Sequence, residues 1–267
     1  MTTDADEGRR GDQELLDLEV SADGLTSGVK LGDIHLSPLD RLYGGAGASL
    51  ASAAIEAAAR RRLLWVTTQF VGVCRAGDRL DLRADVVAAG RRTSQVQVRA
   101  YHDGRLIFQA LGAAGDTRSD IPDGTVPDAP PVPLAADCPL LWGVAQFPVP
   151  GFFGMVEQRR VPDGSDKMTK WWMRLPGYQL ARPALLGLAG DCLPHLVMDG
   201  IGEAGAGTSL DNTIRAGIAS DSEWVLIDAM PEQAAGGFGY GHARLWAPDG
   251  TLVGVASQTA ALWRALG

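Results

Sequence analysis

The sequence predicts an α+β protein made of two tandem repeats, each an antiparallel sheet packed on one helix. Three observations lead to this fold class: two internal matches at one constant offset, one helical pattern ahead of each group of strand patterns, and a proline-rich segment between the halves. The chain has 267 residues, 46% of them hydrophobic and 21% charged, which is enough apolar material for a substantial core. Its 34 glycines and 15 prolines supply the turns that antiparallel strands require.

The internal repeat is the most informative of these observations. The sequence Ala-Ala-Gly at residues 88–90 recurs at residues 234–236, an offset of 236 − 90 = 146. Asp-Gly-Arg-Leu-Ile at residues 103–107 recurs as Asp-Gly-Thr-Leu-Val at residues 249–253, and 249 − 103 is again 146. The first match is typical of a strand end followed by glycine, and the second of an Asp-Gly hairpin turn. Two matches in one ungapped register favour an internal repeat over two unrelated α+β domains.

One helix is predicted ahead of the strands in each half. Residues 48–60 are alanine-rich with an apolar face, and residues 182–198 carry a leucine-rich pattern. Pro183 suits the first position of the second helix. Pro194 interrupts the pattern, so we expect it to kink that helix or mark its limit.

Four strands are predicted after each helix, from alternating apolar and polar residues. They span residues 63–74, 79–89, 93–102 and 105–114 in the first half, and 208–218, 224–230, 237–246 and 251–262 in the second. A further strand is predicted at residues 170–174, Lys-Trp-Trp-Met-Arg, whose tryptophans either pack in the core or line a ligand tunnel.

These elements predict a domain organisation. Residues 1–13 form a disordered, solvated tail, residues 14–115 the N-terminal repeat and residues 151–267 the C-terminal repeat. Residues 116–150 hold eight of the 15 prolines and are predicted to be an extended linker.

Charge and composition exclude several classes of function. A formal net charge of −8 and a pI near 5.0 argue against a nucleic-acid partner, which needs a basic surface. The Arg60-Arg61-Arg62 triplet ends a helical pattern, where compensation of the helix dipole is the simpler interpretation and binding of a small anionic ligand the weaker one. The sequence contains no apolar run long enough for a membrane span and no signal-like start, so we expect a cytoplasmic protein.

The three cysteines lack the spacing of a metal site, a redox motif or a disulfide framework. Cys74, Cys138 and Cys192 lie far apart among apolar residues, which predicts buried free thiols and fits a reducing compartment. The four histidines form no HxxxH pattern and the chain has no Gly-x-Ser-x-Gly elbow, which argues against a zinc enzyme and an α/β-hydrolase.

The last third of the chain contains a series of motifs in a fixed order. Ser-Leu-Asp at residues 209–211 is followed by Glu-Trp-Val-Leu at 223–226, Asp-Gly-Thr-Leu-Val at 249–253, Ser-Gln at 257–258 and Trp-Arg at 263–264. This series resembles the acyl-CoA thioesterase II family, of the double hot-dog thioesterase superfamily. Similar N-terminal motifs are Gly44-Gly45, Phe70, residues 75–78, Gly90-Arg91 and residues 107–108, so the resemblance runs from about Leu42 to Arg264 without the linker.

The resemblance implies a double hot-dog fold, in which two tandem repeats each wrap a curved antiparallel sheet around one central helix. It also implies hydrolysis of acyl-CoA esters, a reaction of lipid metabolism, without a cofactor. The family's catalytic set is an Asp, a Thr or Ser, and a Gln that together hold the attacking water. Carried over by position, these residues are Asp211, Glu232 and Gln258, and Glu232 departs from the family's hydroxyl.

The chemistry of these residues agrees with such a role. Asp211 follows an apolar residue on a strand, and partial desolvation there would make it a better base. Gln258 carries both a donor and an acceptor, which suits it to orient water. Backbone N–H groups around Gly44, Gly45 and Ala46 at the start of the first helix are expected to receive the thioester carbonyl. A solvent-facing Asp211 and a satisfied core amide at Gln258 remain the simpler alternatives.

Two functions therefore stay open on the sequence alone. The first is an acyl-CoA thioesterase, and the second is an acyl-CoA or acyl-ligand binding protein of the same fold that does not hydrolyse its ligand because Glu232 replaces the hydroxyl. A hot-dog hydratase ranks third, because residues 211–215 lack the His that such a motif needs. The expected partners are an acyl-CoA substrate and a second copy of the chain that associates through its sheet.

Overall fold

The computed structural model of the chain describes residues 11–143, 151–162 and 168–265. In this part of the chain thirteen strands form one antiparallel sheet in the order β1-β2-β4-β5-β6-β3-β10-β13-β12-β11-β9-β8-β7. The first half contributes β1 (Glu19–Val20), β2 (Thr26–Lys30), β3 (Arg62–Phe70), β4 (Arg79–Ala89), β5 (Thr93–His102) and β6 (Arg105–Gly115). The second half contributes β7 (Leu140–Trp142), β8 (Glu157–Arg160), β9 (Lys170–Arg174), β10 (Gly205–Ala216), β11 (Trp224–Ala235), β12 (Phe238–Trp246) and β13 (Leu252–Arg264).

Five helices accompany these strands in the described part of the chain. They are α1 (11–15), α2 (Gly44–Ala59), α3 (Phe152–Met155), α4 (Leu186–Gly190) and α5 (Leu193–Gly200). None of the described helices has the length and apolar character needed to cross a bilayer. A large antiparallel sheet with one central helical element per half is the predicted α+β double hot-dog architecture, which is confirmed.

The strand order is the same in the two halves when it is read outward from the centre. In the middle of the sheet β3 pairs with β10, and this pairing sets Thr67 opposite Thr213 with their hydroxyl oxygens 2.9 Å apart. The separation of these two residues is 213 − 67 = 146, the offset of the sequence repeat. The repeat therefore corresponds to an approximate two-fold axis that passes between Thr67 and Thr213. The matched glycines lie in equivalent turns, Gly90 between β4 and β5 and Gly236 between β11 and β12.

Helix α2 is enclosed by the protein. Residues 45–56 are all buried, which explains a sequence of glycine, alanine and serine with few large side chains. The helix packs on the sheet of its own half and against α4 of the other half. The contact with α4 depends on glycine: a Cβ at Gly45 would lie 2.5 Å from the Gly187 carbonyl oxygen, and a Cβ at Gly187 would lie 2.6 Å from the Gly45 carbonyl oxygen.

The second predicted helix is divided in two. Helix α4 ends at Gly190, and α5 begins at Leu193 with Pro194 in its first turn. This confirms that Pro194 marks a helix limit, because proline lacks an N–H and is accommodated where helical amides have no intrahelical acceptor. The interruption leaves Asp191 and Cys192 between the helices.

The N-terminal boundary differs from the expected one. Residues 11–15 are helical, and Asp12 is buried in an ion pair with the Arg182 guanidinium, Nε to Oδ1 3.0 Å. The segment predicted to be a solvated tail is therefore packed from residue 11 onward, because Arg182 in the second half supplies a partner that the local sequence does not reveal. The rest of that predicted tail, residues 1–10, lies outside the described residues.

The predicted linker also contains elements of the second half. Residues 116–134 have no helix or strand, as expected for a proline-rich segment, but a short 3₁₀ turn (Ala135–Asp137) and β7 follow within residues 116–150. Residues 144–150 of the predicted linker lie outside the described residues. Trp171 and Trp172 in the predicted strand at 170–174 are each 2% exposed, and the three cysteines are buried free thiols, both as predicted.

Candidate active site

The break between α4 and α5 places an acidic side chain in the interior. Asp191 is only 6% exposed and lies immediately after α4. Its carboxylate faces two polar side chains from the sheet, Ser209 on β10 and Gln258 on β13. A carboxylate in this setting is costly unless donors surround it. The three residues therefore form a candidate catalytic cluster.

The hydrogen bonds within this cluster are well defined. The Gln258 side-chain amide donates from Nε2 to Asp191 Oδ1 and to Ser209 Oγ, the latter at 2.5 Å. The Ser209 hydroxyl donates to Asp191 Oδ1 at 3.1 Å. The other end of the glutamine is held by the Leu193 backbone N–H, which donates to Gln258 Oε1 at 3.3 Å. The first turn of α5 thus fixes the orientation of the Gln258 amide.

The second carboxylate oxygen of Asp191 is bound to the other half of the chain. The Gly45 backbone N–H in the first turn of α2 donates to Asp191 Oδ2 at 2.7 Å. The Tyr43 hydroxyl, just before the helix, lies 2.8 Å from the Asp191 carbonyl oxygen and 3.0 Å from that of Leu188. The N-terminal end of α2, where amides lack intrahelical acceptors and the helix dipole is positive, therefore faces the buried carboxylate.

Burial decides the electrostatics of the site. Loss of solvent raises the pKa of Asp191 from 3.8 to about 6, although hydrogen bonds from Gln258, Ser209 and Gly45 favour the charged form and oppose this rise. Burial and the neighbouring carboxylate also raise the pKa of the Cys192 thiol, which stays protonated and is a poor nucleophile. The group suited to accept a proton near neutral pH is therefore Asp191.

A cavity of about 670 Å³ opens beside the cluster. Asp191, Ser209, Gly44 and Tyr43 lie in its wall, and the remainder is largely apolar. The apolar side chains belong to both halves and include Leu42, Phe70, Phe153, Met168, Trp171, Met173 and Trp263. Such a volume is within the range of about 300–1,000 Å³ typical of small-molecule sites. A polar cluster at one point of a mainly apolar cavity is suited to a ligand with one reactive polar group and an apolar remainder.

Several predicted site residues are found here. Gln258 lies in the cluster, Gly44 lies in the cavity wall, and Gly45 binds the carboxylate. A Cβ on Gly44 would lie 2.5 Å from Asp191 Oδ2, so glycine is needed for this close approach. Ala46 is fully buried in the first turn of α2, where only its backbone is positioned for a role.

Asp211 lies away from Gln258, in contrast to the expectation that the two residues share a water. In the pairing of β10 with β13, Asn212 is opposite Gln258 and Asp211 is opposite Thr259. Because successive side chains of a strand point to opposite faces, Asp211 points away from the face that carries Gln258. Its Oδ1 accepts the backbone N–H of Thr259 at 2.9 Å. The register shift between Ser209 and Asp211 lets Ser209 reach the inner face instead.

Glu232 also lies away from the cluster. Its side chain is 47% exposed, and its Oε1 is 3.2 Å from Nδ1 of His242 on the neighbouring strand β12. Glu232 does not line the cavity. The hydroxyl next to the Gln258 amide in the cluster is that of Ser209. The arginine triplet 60–62 is likewise absent from the cavity lining, and Arg61 instead pairs with Asp116 at 3.0 Å.

The sequence interpretation missed Asp191 and the hydroxyl of Ser209. One available signal for Asp191 was an acidic residue three positions before Pro194 in an otherwise apolar helical pattern, since a helix break is a place where a side chain can be presented. Ser209 stood inside the Ser-Leu-Asp motif at residues 209–211. From that motif the predicted functional residue was Asp211, which lies two residues after Ser209.

Two family comparisons agree with this architecture. Residues 35–115 match the acyl-CoA thioesterase N-terminal domain family, and residues 124–262 match the acyl-CoA thioesterase C-terminal domain family. The chain therefore belongs to the acyl-CoA thioesterase family, as the sequence motifs predicted. No curated protein matches the sequence.

Solved structures of similar shape cover almost the whole chain. A proposed thioesterase from Novosphingobium aromaticivorans shares 28% identity over 92% of this chain and 98% of its own, with a TM-score of 0.82. A proposed thioesterase II from Thermobifida fusca has 17% identity, coverage of 95% and 97%, and a TM-score of 0.81. An acyl-CoA thioesterase II from Mycobacterium marinum has 19% identity, coverage of 96% and 98%, and a TM-score of 0.68. The last two, at under 25% identity, show the fold alone.

Proposed function

We propose that the chain is an acyl-CoA thioesterase that hydrolyses its substrate with a water held by Asp191, Ser209 and Gln258. One observation carries this proposal: a buried carboxylate and a hydroxyl in the wall of a mainly apolar cavity are joined by hydrogen bonds to each other and to the Gln258 amide. Thioester hydrolysis needs a positioned water, a group that accepts its proton and donors for the oxyanion. The cluster and the adjoining helix end offer each of these.

In the proposed reaction the water binds between Asp191 and its two polar neighbours. Its oxygen attacks the thioester carbonyl carbon while the Asp191 carboxylate takes one proton. The carbon–sulfur bond then breaks, the free acid forms, and the departing thiolate takes up the proton that Asp191 had accepted, which gives coenzyme A and restores the carboxylate. Gln258 and Ser209 orient the water and the carboxylate but transfer no net proton.

The oxyanion is assigned to backbone amides in the first turn of α2. The Gly45 amide is already bound to Asp191 Oδ2, which leaves the neighbouring positions Gly44 and Ala46 as the donors of that turn. Gly44 lies in the cavity wall and lacks a side chain that would obstruct a ligand. The positive end of the helix dipole favours negative charge at this point.

The apolar cavity supports an acyl chain as the part of the substrate that it encloses. Phe70 on β3 and the pair Trp171 and Met173 on β9 line the same space. The coenzyme A part remains toward the opening, where the Arg41 side chain lines the cavity wall. Hydrolysis is favoured over mere ligand binding because Ser209 supplies the hydroxyl that Glu232 does not.

The test is release of free thiol from a panel of acyl-CoA esters of different chain length, with parent and variant proteins. Asp191→Asn removes the proton acceptor while it keeps the shape of the side chain, and we expect turnover to fall by about a hundredfold or more. Asp211→Asn is the matched control on the outer face of the sheet and should keep turnover within a few fold. Loss of activity in Asp211→Asn with an active Asp191→Asn would return the role to Asp211 and reject this assignment.

A further inference from the structure

A second cluster of polar side chains lies at the edge of the N-terminal half, away from Asp191. It consists of Cys74 and Asp78, in the loop between β3 and β4, and His102, at the end of β5. Cys74 is fully buried, whereas the side chains of Asp78 and His102 are 31% and 16% exposed. Nothing in the proposed hydrolysis uses these residues. They combine a thiol, a carboxylate and an imidazole, the ligand types that a Zn²⁺ ion accepts.

We propose that Cys74, Asp78 and His102 bind one divalent cation of the zinc type. One ligand atom from each residue lies within 4.8 Å of the other two. His102 Nε2 is 3.6 Å from Asp78 Oδ2, too long for a hydrogen bond. Two ligands on one tetrahedral zinc lie roughly 3.3–3.6 Å apart, given bonds of about 2.0–2.3 Å. Small side-chain movements would therefore bring the three atoms to zinc-binding distances.

Hydrogen bonds around the cluster orient two of the ligands. His102 Nδ1 lies 2.9 Å from the Arg79 carbonyl oxygen, which can only accept, so Nδ1 carries the proton of the neutral ring. Nε2 then has its lone pair directed toward Asp78 and Cys74. Histidines that bind metals commonly donate their other N–H in this way. The Asp78 carboxylate is in turn held by the Arg75 backbone N–H, which donates to Oδ2 at 2.9 Å.

The charges near the cluster favour a cation. The Asp103 carboxylate also lies 3.6 Å from His102 Nε2, at an exposed position in the β5–β6 turn, and adds negative charge beside the three ligands. Water would fill the fourth position. Burial, followed by the effect of Asp78, raises the pKa of the Cys74 thiol to about 11, while Arg105 opposes this rise. A bound cation would favour the thiolate over the thiol: the thiol would lose its proton to solvent, and the sulfur would bind the metal as a thiolate.

The site would fix one rim of the acyl cavity. Gly72 and Val73, directly before Cys74, line the cavity, and the Cys74 carbonyl oxygen accepts the backbone N–H of Leu42, another lining residue, at 2.9 Å. A cation held by this loop and by the β5–β6 turn would link the loop to the sheet. Its role is structural, and it stands apart from the reaction assigned to Asp191.

The experiment is a titration of the full-length, chelator-treated protein with Co²⁺, followed by displacement with Zn²⁺. Cobalt reports both thiolate ligation, through a charge-transfer absorption in the near ultraviolet, and four-coordinate geometry, through intense visible bands. We expect one Co²⁺ per chain, with both signals, and their loss when Zn²⁺ is added. Zn²⁺ should also raise the melting temperature of the protein, because a ligand that binds only the folded state stabilises it.

Variants assign the signal to residues. Cys74→Ser should abolish the charge-transfer absorption, and Asp78→Asn should weaken cation affinity at least about tenfold. Cys138→Ser, which alters another buried thiol, should bind like the parent. Circular dichroism of the cation-free variants checks that each is folded. If Cys74→Ser does not fold, the affinity of Asp78→Asn for the cation decides the test. Absence of stoichiometric binding by the parent, or binding by both variants equal to that of the parent, would overturn the proposal.

Discussion

Asp191 is held in a balance between burial and hydrogen bonding. Removal from water favours the protonated acid, whereas donors from Gln258, Ser209 and Gly45 favour the carboxylate. Without these donors the pKa of the side chain would be higher still, and a smaller fraction of it would be ionised at neutral pH. With more donors, or in water, the pKa of Asp191 would be lower and its carboxylate would be a weaker base. The pKa of about 6 that results suits a general base that works near neutrality.

The pH dependence of turnover follows from this balance. Only the ionised Asp191 accepts a proton, so kcat/KM should fall tenfold per pH unit as the pH drops below about 6, and should level off above it. The measurement is initial-rate thiol release across the pH range at constant ionic strength. A profile that stays level down to pH 4, near the ordinary pKa of an aspartate, would contradict the buried base. The residual rate of Asp191→Asn should lack the inflection.

At the scale of single residues, sequence reasoning identified the sheet side of the site but not its acid. Gln258 could be predicted because its amide lies in a motif of fixed spacing on a regular strand. The role of Asp191 could not be predicted, because its position depends on where α4 ends and where α5 begins. Strand periodicity carries no information about that break. Asp211 was predicted instead, because the sequence does not reveal the register shift between Ser209 and Asp211. That shift decides which side chains of β10 face the interior.

At the scale of elements, the site depends on how closely two helices approach. Helix α2 begins at Gly44, and α4 passes its first turn with Gly187 against Gly45. Each glycine leaves room for the carbonyl oxygen of the other, at distances where a Cβ would clash. This approach brings the loop after α4 within hydrogen-bonding distance of the Gly45 amide. The two glycines thus determine whether the Asp191 carboxylate reaches the helix end.

A methyl group at this contact should separate the helices. Gly187→Ala places a Cβ 2.6 Å from the Gly45 carbonyl oxygen and 2.8 Å from Ser49 Oγ, so the two helices must move apart. Overpacking of this kind costs about 1–3 kcal/mol of unfolding free energy, measured by chemical denaturation. Turnover should fall as well, because the Gly45–Asp191 hydrogen bond lengthens. Gly124→Ala, where a Cβ meets nothing within 4 Å, is the control and should change neither quantity.

Most elements were predictable from periodicity, and their ends were not. Strand β4 has its predicted bounds, Arg79–Ala89, and so does β5. The first predicted strand ran to residue 74, but β3 ends at Phe70 and the following residues form the loop that carries Cys74 and Asp78. Conversely, β10 begins at Gly205, before its predicted start, because β13 offers a pairing partner as far as Arg264. Such ends are set by pairing between distant segments.

At the scale of the whole molecule, two similar halves contain one candidate catalytic cluster in the described part of the chain. Subtraction of 146 from Asp191, Ser209 and Gln258 gives Gly45, Leu63 and Gly112. Within the described residues these counterparts offer no side-chain proton acceptor, hydroxyl or amide. The offset of the repeat, and with it the two-fold arrangement, could be predicted from two short matches. The pairing of the two halves through β3 and β10 could not be predicted, because neither strand alone carries a signal for its partner.

The number of ligands bound per chain tests this asymmetry. A non-hydrolysable acyl-CoA thioether should bind one per chain in calorimetric titration, because only one of the two equivalent positions has the cluster. Ser209→Leu introduces the residue that stands at the counterpart position, Leu63. It should lower turnover at least tenfold while the circular dichroism spectrum stays unchanged. Two equal sites per chain would show that the first half retains a site of its own.

The hydrogen bond between Gly45 and Asp191 joins residues that are each other's counterparts, since 191 − 45 = 146. In a homodimer of identical half-length chains, both members of such a pair are encoded by the same codon. A glycine facing an aspartate across the axis is then unattainable: both would be glycine, without the base, or both aspartate, with two carboxylates against each other. This contact therefore requires two halves of different sequence, which the single polypeptide supplies, and a symmetric dimer of either half alone would lose it.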